Sequence, residues 1–66
     1  MTRRGDMERD LARDCYAEAA RWREAGRTMT EEDMRRAERI ARHHEFRGDQ
    51  HLCAAIRAEA AEVRDQ

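Results

Sequence analysis

The chain contains no proline, and glycine occurs only at positions 5, 26 and 48. These glycines divide the sequence into three blocks that are rich in alanine, arginine and glutamate, which are good helix formers. No segment shows the alternation of apolar and polar residues that is typical of a strand. The sequence therefore predicts an all-α fold, a small bundle of three helices over about residues 6–25, 31–46 and 50–65, in one domain that covers residues 1–66.

Local signals define the first two helices. Met7, Leu11, Cys15 and Trp22 recur at helical spacing and form one apolar stripe on the first block. Gly26 then suits the position that follows the last turn of a helix. In the sequence MTEEDM, Thr30 is typical of a helix N-cap, with the acidic partner of a capping box at position 33.

The third helix is predicted from the second internal glycine. We expect Gly48 to turn the chain and Asp49 to cap the helix that follows. Because this joint is so short, the second and third helices would form an antiparallel hairpin. From Ile40 to Ala60 the spacing of alanines resembles one tetratricopeptide-type hairpin, but the pattern occurs once and lacks the aromatic positions of that repeat, so no family is assigned.

The apolar side chains are small for a chain that folds alone. Twelve of the hydrophobic residues are alanine. Burying one large side chain contributes about 1.5–3 kcal/mol, whereas ordering one residue costs on the order of 1.5 kcal/mol. A monomer would be marginal, so we expect dimerisation to complete the fold, or docking on another protein. The predicted interface residues are Met7, Leu11, Cys15, Trp22 and Met34.

The charge pattern limits the classes of partner. Charged residues make up 44% of the chain, and all 14 basic residues are arginine, yet the formal net charge is −1. This balance argues against a general polyanion binder. Arg35, Arg39 and Arg42 nevertheless form a basic ridge with Arg47 beside its end, which is a possible nucleic-acid contact. Our leading hypothesis is a non-enzymatic interaction or regulatory module that forms a homodimer; the alternative is a small DNA-binding regulator that uses this ridge.

The stretch HHEFRGDQHLC, residues 43–53, raises other possibilities. His43, His44, His51 and Cys53 are zinc-ligand types, but their spacing matches no closed zinc site, so we expect no metal and no cofactor. Arg-Gly-Asp occurs at residues 4–6 and 47–49, and we interpret each copy as a helix start, not an adhesion motif. Three short helices seldom enclose a catalytic pocket, so we expect no enzymatic activity.

The sequence also bears on the compartment. The N-terminal residues lack the apolar region of a secretory signal, and no apolar run approaches the length of a membrane span. Two cysteines do not make a disulfide framework. We therefore expect a cytoplasmic protein with reduced thiols that does not bind membranes.

Overall fold

Two helices, not three, make up the computed structural model, which describes residues 3–65. Helix α1 spans Arg4–Gly26 and helix α2 spans Glu31–Arg64. Residues 27–30 join them into an antiparallel helical hairpin. The all-α prediction is confirmed, but the prediction of three helices is wrong, because residues 31–46 and 50–65 belong to one continuous helix of 34 residues.

Gly48 lies inside α2 and not at a joint. A Cβ atom at Gly48 would lie 2.9 Å from Cε1 of Tyr16, so the close approach of α1 explains the glycine. The φ of Gly48 is not in the left-handed region. Asp49 caps no helix, because it lies in mid-helix, where its carboxylate accepts a hydrogen bond from the Tyr16 hydroxyl. Both roles predicted for the joint are therefore wrong, and so is the predicted antiparallel hairpin of residues 31–46 and 50–65.

The first Arg-Gly-Asp tripeptide has the same physical explanation as the second. α1 begins at Arg4, two residues before its predicted start, and Gly5 is buried in the first turn. A Cβ atom at Gly5 would lie 3.1 Å from Cγ of Glu59 on α2. Each tripeptide thus lies within a helix and places a glycine where the other helix comes close.

The contact between the helices is lined by small residues, and we call this line the seam. Small residues at regular spacing let two helices approach closely, and a seven-residue repeat keeps one line of each helix on its partner. On α1 the buried residues recur every seventh position. The buried residues of the seam are Gly5, Ala12, Ala19 and Gly26 on α1, and Ala37, Ala41, Gly48 and Ala55 on α2.

The start of α2 agrees with the predicted cap. The Thr30 hydroxyl accepts a hydrogen bond from the backbone N–H of Asp33 at 3.3 Å, and the helix begins at Glu31. The hairpin forms a single layer of two helices that measures 54 × 18 × 9 Å. Within residues 3–65, neither helix combines the length and the apolar character needed to cross a membrane.

Candidate functional site

Charged side chains from both helices close one edge of the seam. Arg9 on α1 donates two hydrogen bonds to Glu59 on α2, at 2.6 and 2.9 Å. Arg23 donates two bonds of 3.1 Å to Glu38 and also contacts Glu45. Arg9, Tyr16 and Arg23 follow one another at intervals of seven residues on α1, so the edge has the same repeat as the seam. We call this surface, together with Tyr16 and Asp49, the charged edge.

These contacts shift the pKa values of the groups that make them. The hydrogen bond to Asp49 raises the pKa of Tyr16 from about 10 to about 12. The hydrogen bonds from Arg23 and Arg9 lower the pKa values of Glu38 and Glu59, respectively. Each shift favours the form of the side chain that makes the contact between helices. The charged edge is therefore electrostatically satisfied within one hairpin.

The other edge of the seam carries four of the predicted interface residues. Met7, Leu11, Cys15 and Trp22 lie on one side of α1 by helical periodicity. Met7 and Leu11 are 55% and 45% exposed, and Cys15 and Trp22 are half-buried. The structure thus places these four residues on a common surface, as the apolar stripe predicts.

Helix α2 contributes to the same surface. Glu8 is seven residues before Cys15 and fourteen before Trp22, so all three lie on the same side of α1. The Oε2 atom of Glu8 is 2.6 Å from Nδ1 of His51 on α2. Ile40 precedes His51 by three helical turns and so projects from the same side of α2, half-buried. We call the surface formed by Met7, Leu11, Cys15, Trp22 and Ile40 the tryptophan face.

The fifth predicted interface residue lies elsewhere. Met34 is at the turn end of the hairpin, where its Cα would lie 3.8 Å from a Cβ atom at Gly26. It lines an open groove whose other residues are Arg23, Gly26, Arg27, Glu31, Arg35, Ala37 and Glu38. A smaller depression lies beside Trp22 and is lined by Glu18, Arg21, Trp22 and Ala25.

A second regular pattern follows an exposed line of α2 that borders the charged edge and shares Asp49 with it. Nine exposed positions recur at alternating intervals of four and three residues, the spacing of a coiled-coil contact line. The first three are arginines, and five of the remaining six are apolar. We call this line the outer stripe; it consists of Arg35, Arg39, Arg42, Phe46, Asp49, Cys53, Ile56, Ala60 and Val63. The predicted break at Gly48 concealed it, because that break assigned the two halves to different helices.

The predicted arginine ridge is only partly assembled. Arg35, Arg39 and Arg42 share the outer stripe, whereas Arg47 is turned by about 120° from Arg35 around the helix. Arg35 pairs with Glu31 at 2.9 Å and Arg42 with Glu38 at 3.4 Å, although both arginine side chains remain about three-quarters exposed. The ridge is accessible but carries local counter-charges.

The potential metal ligands of residues 43–53 are dispersed over the surface. The rings of His43 and His44 are adjacent, with centroids 6.0 Å apart. His51 is engaged by Glu8, whereas Cys53 lies on the outer stripe. Within residues 3–65, no three His, Cys, Asp or Glu side chains come together as a metal site would require.

Comparison with protein-family models, curated proteins and solved structures found no match to this chain. Two exposed apolar surfaces that run along the helices are the basis for a functional proposal. One of them, the tryptophan face, combines residues of both helices. The other, the outer stripe, belongs to α2 alone.

Proposed function

We propose that this chain is a non-enzymatic helical interaction module that acts as a homodimer, with the tryptophan face as the contact between copies. The seam carries this proposal, because its fully buried residues are alanine and glycine alone. Every large apolar side chain within residues 3–65 keeps part of its surface exposed. Exposed apolar surface of this kind is typical of interaction sites.

The area of the hairpin supports a second copy as the occupant. The accessible surface is 5481 Å². A compact folded monomer of 7.8 kDa is expected to expose about 4,400 Å². The hairpin thus exposes about 1,100 Å² more than a compact monomer, because its single layer of two helices has no second layer to cover it. This additional area exceeds the roughly 800 Å² that each partner buries in a standard interface.

A two-fold axis would place two tryptophan faces against each other and form a four-helix bundle. Trp22 is the expected anchor, since tryptophan is enriched among the few residues that dominate the binding energy of an interface, and Leu11 would pack beside it. Glu18 and Arg21 lie beside Trp22 and would form part of the polar rim. The bundle would supply the apolar core that a single hairpin lacks.

Sedimentation equilibrium of three proteins tests this proposal: the natural chain, Leu11→Arg and Ile56→Arg. Leu11 and Ile56 are 45% and 54% exposed, so both substitutions place arginine at an accessible helix position, but on different faces. We expect the natural chain and Ile56→Arg to have twice the 7.8 kDa mass at micromolar concentration, and Leu11→Arg to be monomeric. A natural chain that is monomeric and unfolds cooperatively would contradict the proposal.

The arginine ridge supports a second candidate function, that of a small DNA-binding regulator. Arg35, Arg39 and Arg42 are exposed along one line of α2, where they could contact phosphates. The support is weaker, because glutamates pair with two of them and Arg47 lies on another side of the helix. Fluorescence anisotropy with duplex DNA distinguishes the candidates. If the chain binds DNA, its affinity should fall steeply as the salt concentration rises, and Arg39→Glu should bind more weakly than the natural chain at the same salt concentration.

A further inference from the structure

We propose that the outer stripe docks one amphipathic helix of another protein, with apolar contact residues along one half and acidic contact residues along the other. This interaction uses a different face from the homodimer and does not depend on it. The chain would then join two activities: assembly through the tryptophan face and capture of a partner helix through α2.

The spacing of the outer stripe is that of a helix-docking line. Intervals of four and three residues keep exposed side chains aligned along a neighbouring helix. The apolar residues are not spread evenly over the exposed surface of α2. A second exposed line, with one residue at every seventh position, is entirely polar; it consists of Arg36, His43, Gln50, Arg57 and Arg64.

The apolar half of the stripe is long and accessible. Phe46, Ile56 and Val63 are 60%, 54% and 72% exposed. Cys53 and Ala60 lie between them on the same line and are also exposed. This half extends about 26 Å along α2, enough for about five turns of a partner helix. An amphipathic helix that lies along such a surface would cover it with its own apolar face.

The basic half determines the charge of the partner. Arg39 has no ion pair within residues 3–65, and the pairs of Arg35 and Arg42 are local contacts with glutamates one turn earlier. These side chains can reorient toward carboxylates on a neighbouring helix, since pairs this exposed hold their partners weakly. Glutamate or aspartate at the facing positions would complement the arginines and suppress basic partners.

A second copy of the chain fits the outer stripe less well than such a helix. In a parallel arrangement, the arginines of the two copies would face each other. In an antiparallel arrangement with overlapping apolar halves, the arginines of both copies would extend beyond the contact. A partner helix with one acidic half and one apolar half complements the whole stripe.

Asp49 is the polar position within the apolar half. The Tyr16 hydroxyl donates a hydrogen bond to its carboxylate, so α1 fixes the position of this charge where the stripe borders the charged edge. A single polar group at a contact position specifies the register of paired helices. The partner is therefore expected to carry a basic or amide side chain opposite Asp49.

A synthetic peptide provides the direct test. It is a helix of about four heptads with leucine at the contact positions of one half, glutamate at those of the other, and one arginine to face Asp49. Both chain directions are synthesised, since the stripe does not fix the orientation. A matched control peptide carries lysine in place of glutamate. We expect one of the acidic peptides to bind, and its lysine control to bind at least about tenfold more weakly.

Variants and the two free cysteines localise the binding. Ile56→Arg should abolish binding of the acidic peptide, and Arg39→Glu should shift the preference toward the lysine peptide. Gln50→Ala, on the polar line of α2, should bind as the natural chain does. Cys53 should be protected from alkylation by the bound peptide, whereas Cys15, on the tryptophan face, should show no protection by the peptide.

Several outcomes would overturn the proposal. Failure of both acidic peptides at about 100 μM, equal binding of acidic and lysine peptides, or unchanged alkylation of Cys53 would each do so. If Ile56→Arg converts a dimer into a monomer, the stripe is a contact between copies. If duplex DNA or anionic vesicles displace the peptide, the arginines bind phosphate and not an acidic helix.

Discussion

The charged edge and the tryptophan face border the same seam but differ in how they are completed. On the charged edge, each large polar group of α1 has a partner on α2, as in the contact of Arg9 with Glu59. On the tryptophan face, Leu11 and Met7 remain about half exposed. An edge that is satisfied within one hairpin fixes how its helices pair, whereas an edge left apolar is available to another molecule.

The contacts between the helices contribute more to the specificity of their pairing than to the stability of the hairpin. Exposed ion pairs contribute little stability, but they set the orientation of paired helices. The seam allows close approach, yet alanine and glycine bury little apolar area. The hairpin thus has a well-specified geometry and a small core, which is why assembly is expected to supply much of its stability.

The largest expected effect comes from blocking the seam. Gly48→Leu should lower the free energy of unfolding by about 3 kcal/mol, the upper part of the range for overpacking, because the new side chain would collide with Tyr16 and force the helices apart. Chemical denaturation measures the loss. Gln50→Leu, at an exposed position of the same helix, is the control and should change stability by less than about 0.5 kcal/mol.

A double variant identifies the ring of Tyr16 as the cause. With Tyr16→Ala in place, Gly48→Ala should stabilise α2 by about 1 kcal/mol through helix propensity. In the natural background, the same substitution should be less favourable, because the added Cβ would meet the ring at 2.9 Å. Equal effects in both backgrounds would show that the close approach of α1 does not determine the glycine.

A smaller effect is expected at the turn, which belongs to neither edge. Thr30→Ala should lower the free energy of unfolding by about 1 kcal/mol, because the N–H of Asp33 loses its acceptor. Thr28→Ala should cost less, since the Thr28 hydroxyl makes only a 3.4 Å bond to the carbonyl of Ala25. Thermal melts that shift equally in the two variants would contradict the assigned start of α2.

Alkaline pH should weaken the charged edge through Tyr16. Because its pKa is raised from about 10 to about 12 in the folded chain, the contribution of its hydroxyl is complete below pH 10 and is lost as the pH rises through 12. Denaturation of the natural chain and of Tyr16→Phe measures this contribution, since phenylalanine keeps the ring over Gly48. The advantage of the natural chain should disappear across that interval; a constant difference would contradict the assignment.

Acidic pH should weaken the same edge by a smaller amount. The pKa values of Glu38 and Glu59 are lowered, so their contribution is present above about 4.5 and is lost as the pH falls through their folded values. Glu59→Gln should flatten the dependence of stability on pH in that range. Arg9→Gln should flatten it similarly because it removes the partner, and an unchanged slope in both variants would count against the pair.

Local signals in the sequence predicted part of this structure. Thr30 and the acidic residues after it identify the start of α2, because a helix cap depends only on residues within one helical turn. Met7, Leu11, Cys15 and Trp22 share a face as their spacing indicates, because helical periodicity needs no tertiary information. These predictions required only residues that are close in sequence.

The role of Gly48 could not be predicted in the same way. Glycine inside a helix costs only about 0.5–1 kcal/mol relative to alanine, which contacts with another helix can offset. The relevant signal was non-local: small residues recur every seventh position on both helices, so Gly48 belongs with Ala41 and Ala55. Once the chain was divided at Gly48, the arginines and the apolar residues of the outer stripe could no longer be recognised as one line.

The continuity of α2 through Gly48 is the claim on which the seam and the outer stripe both depend. Spin labels at Arg36→Cys and Arg57→Cys measure it directly, in a chain that also carries Cys15→Ser and Cys53→Ser. Both sites are exposed, and dilution with unlabelled chain removes distances between copies. A continuous helix predicts label positions about 32 Å apart along its axis. A distance near 10 Å, that of adjacent antiparallel helices, would show a joint at Gly48 and contradict the account.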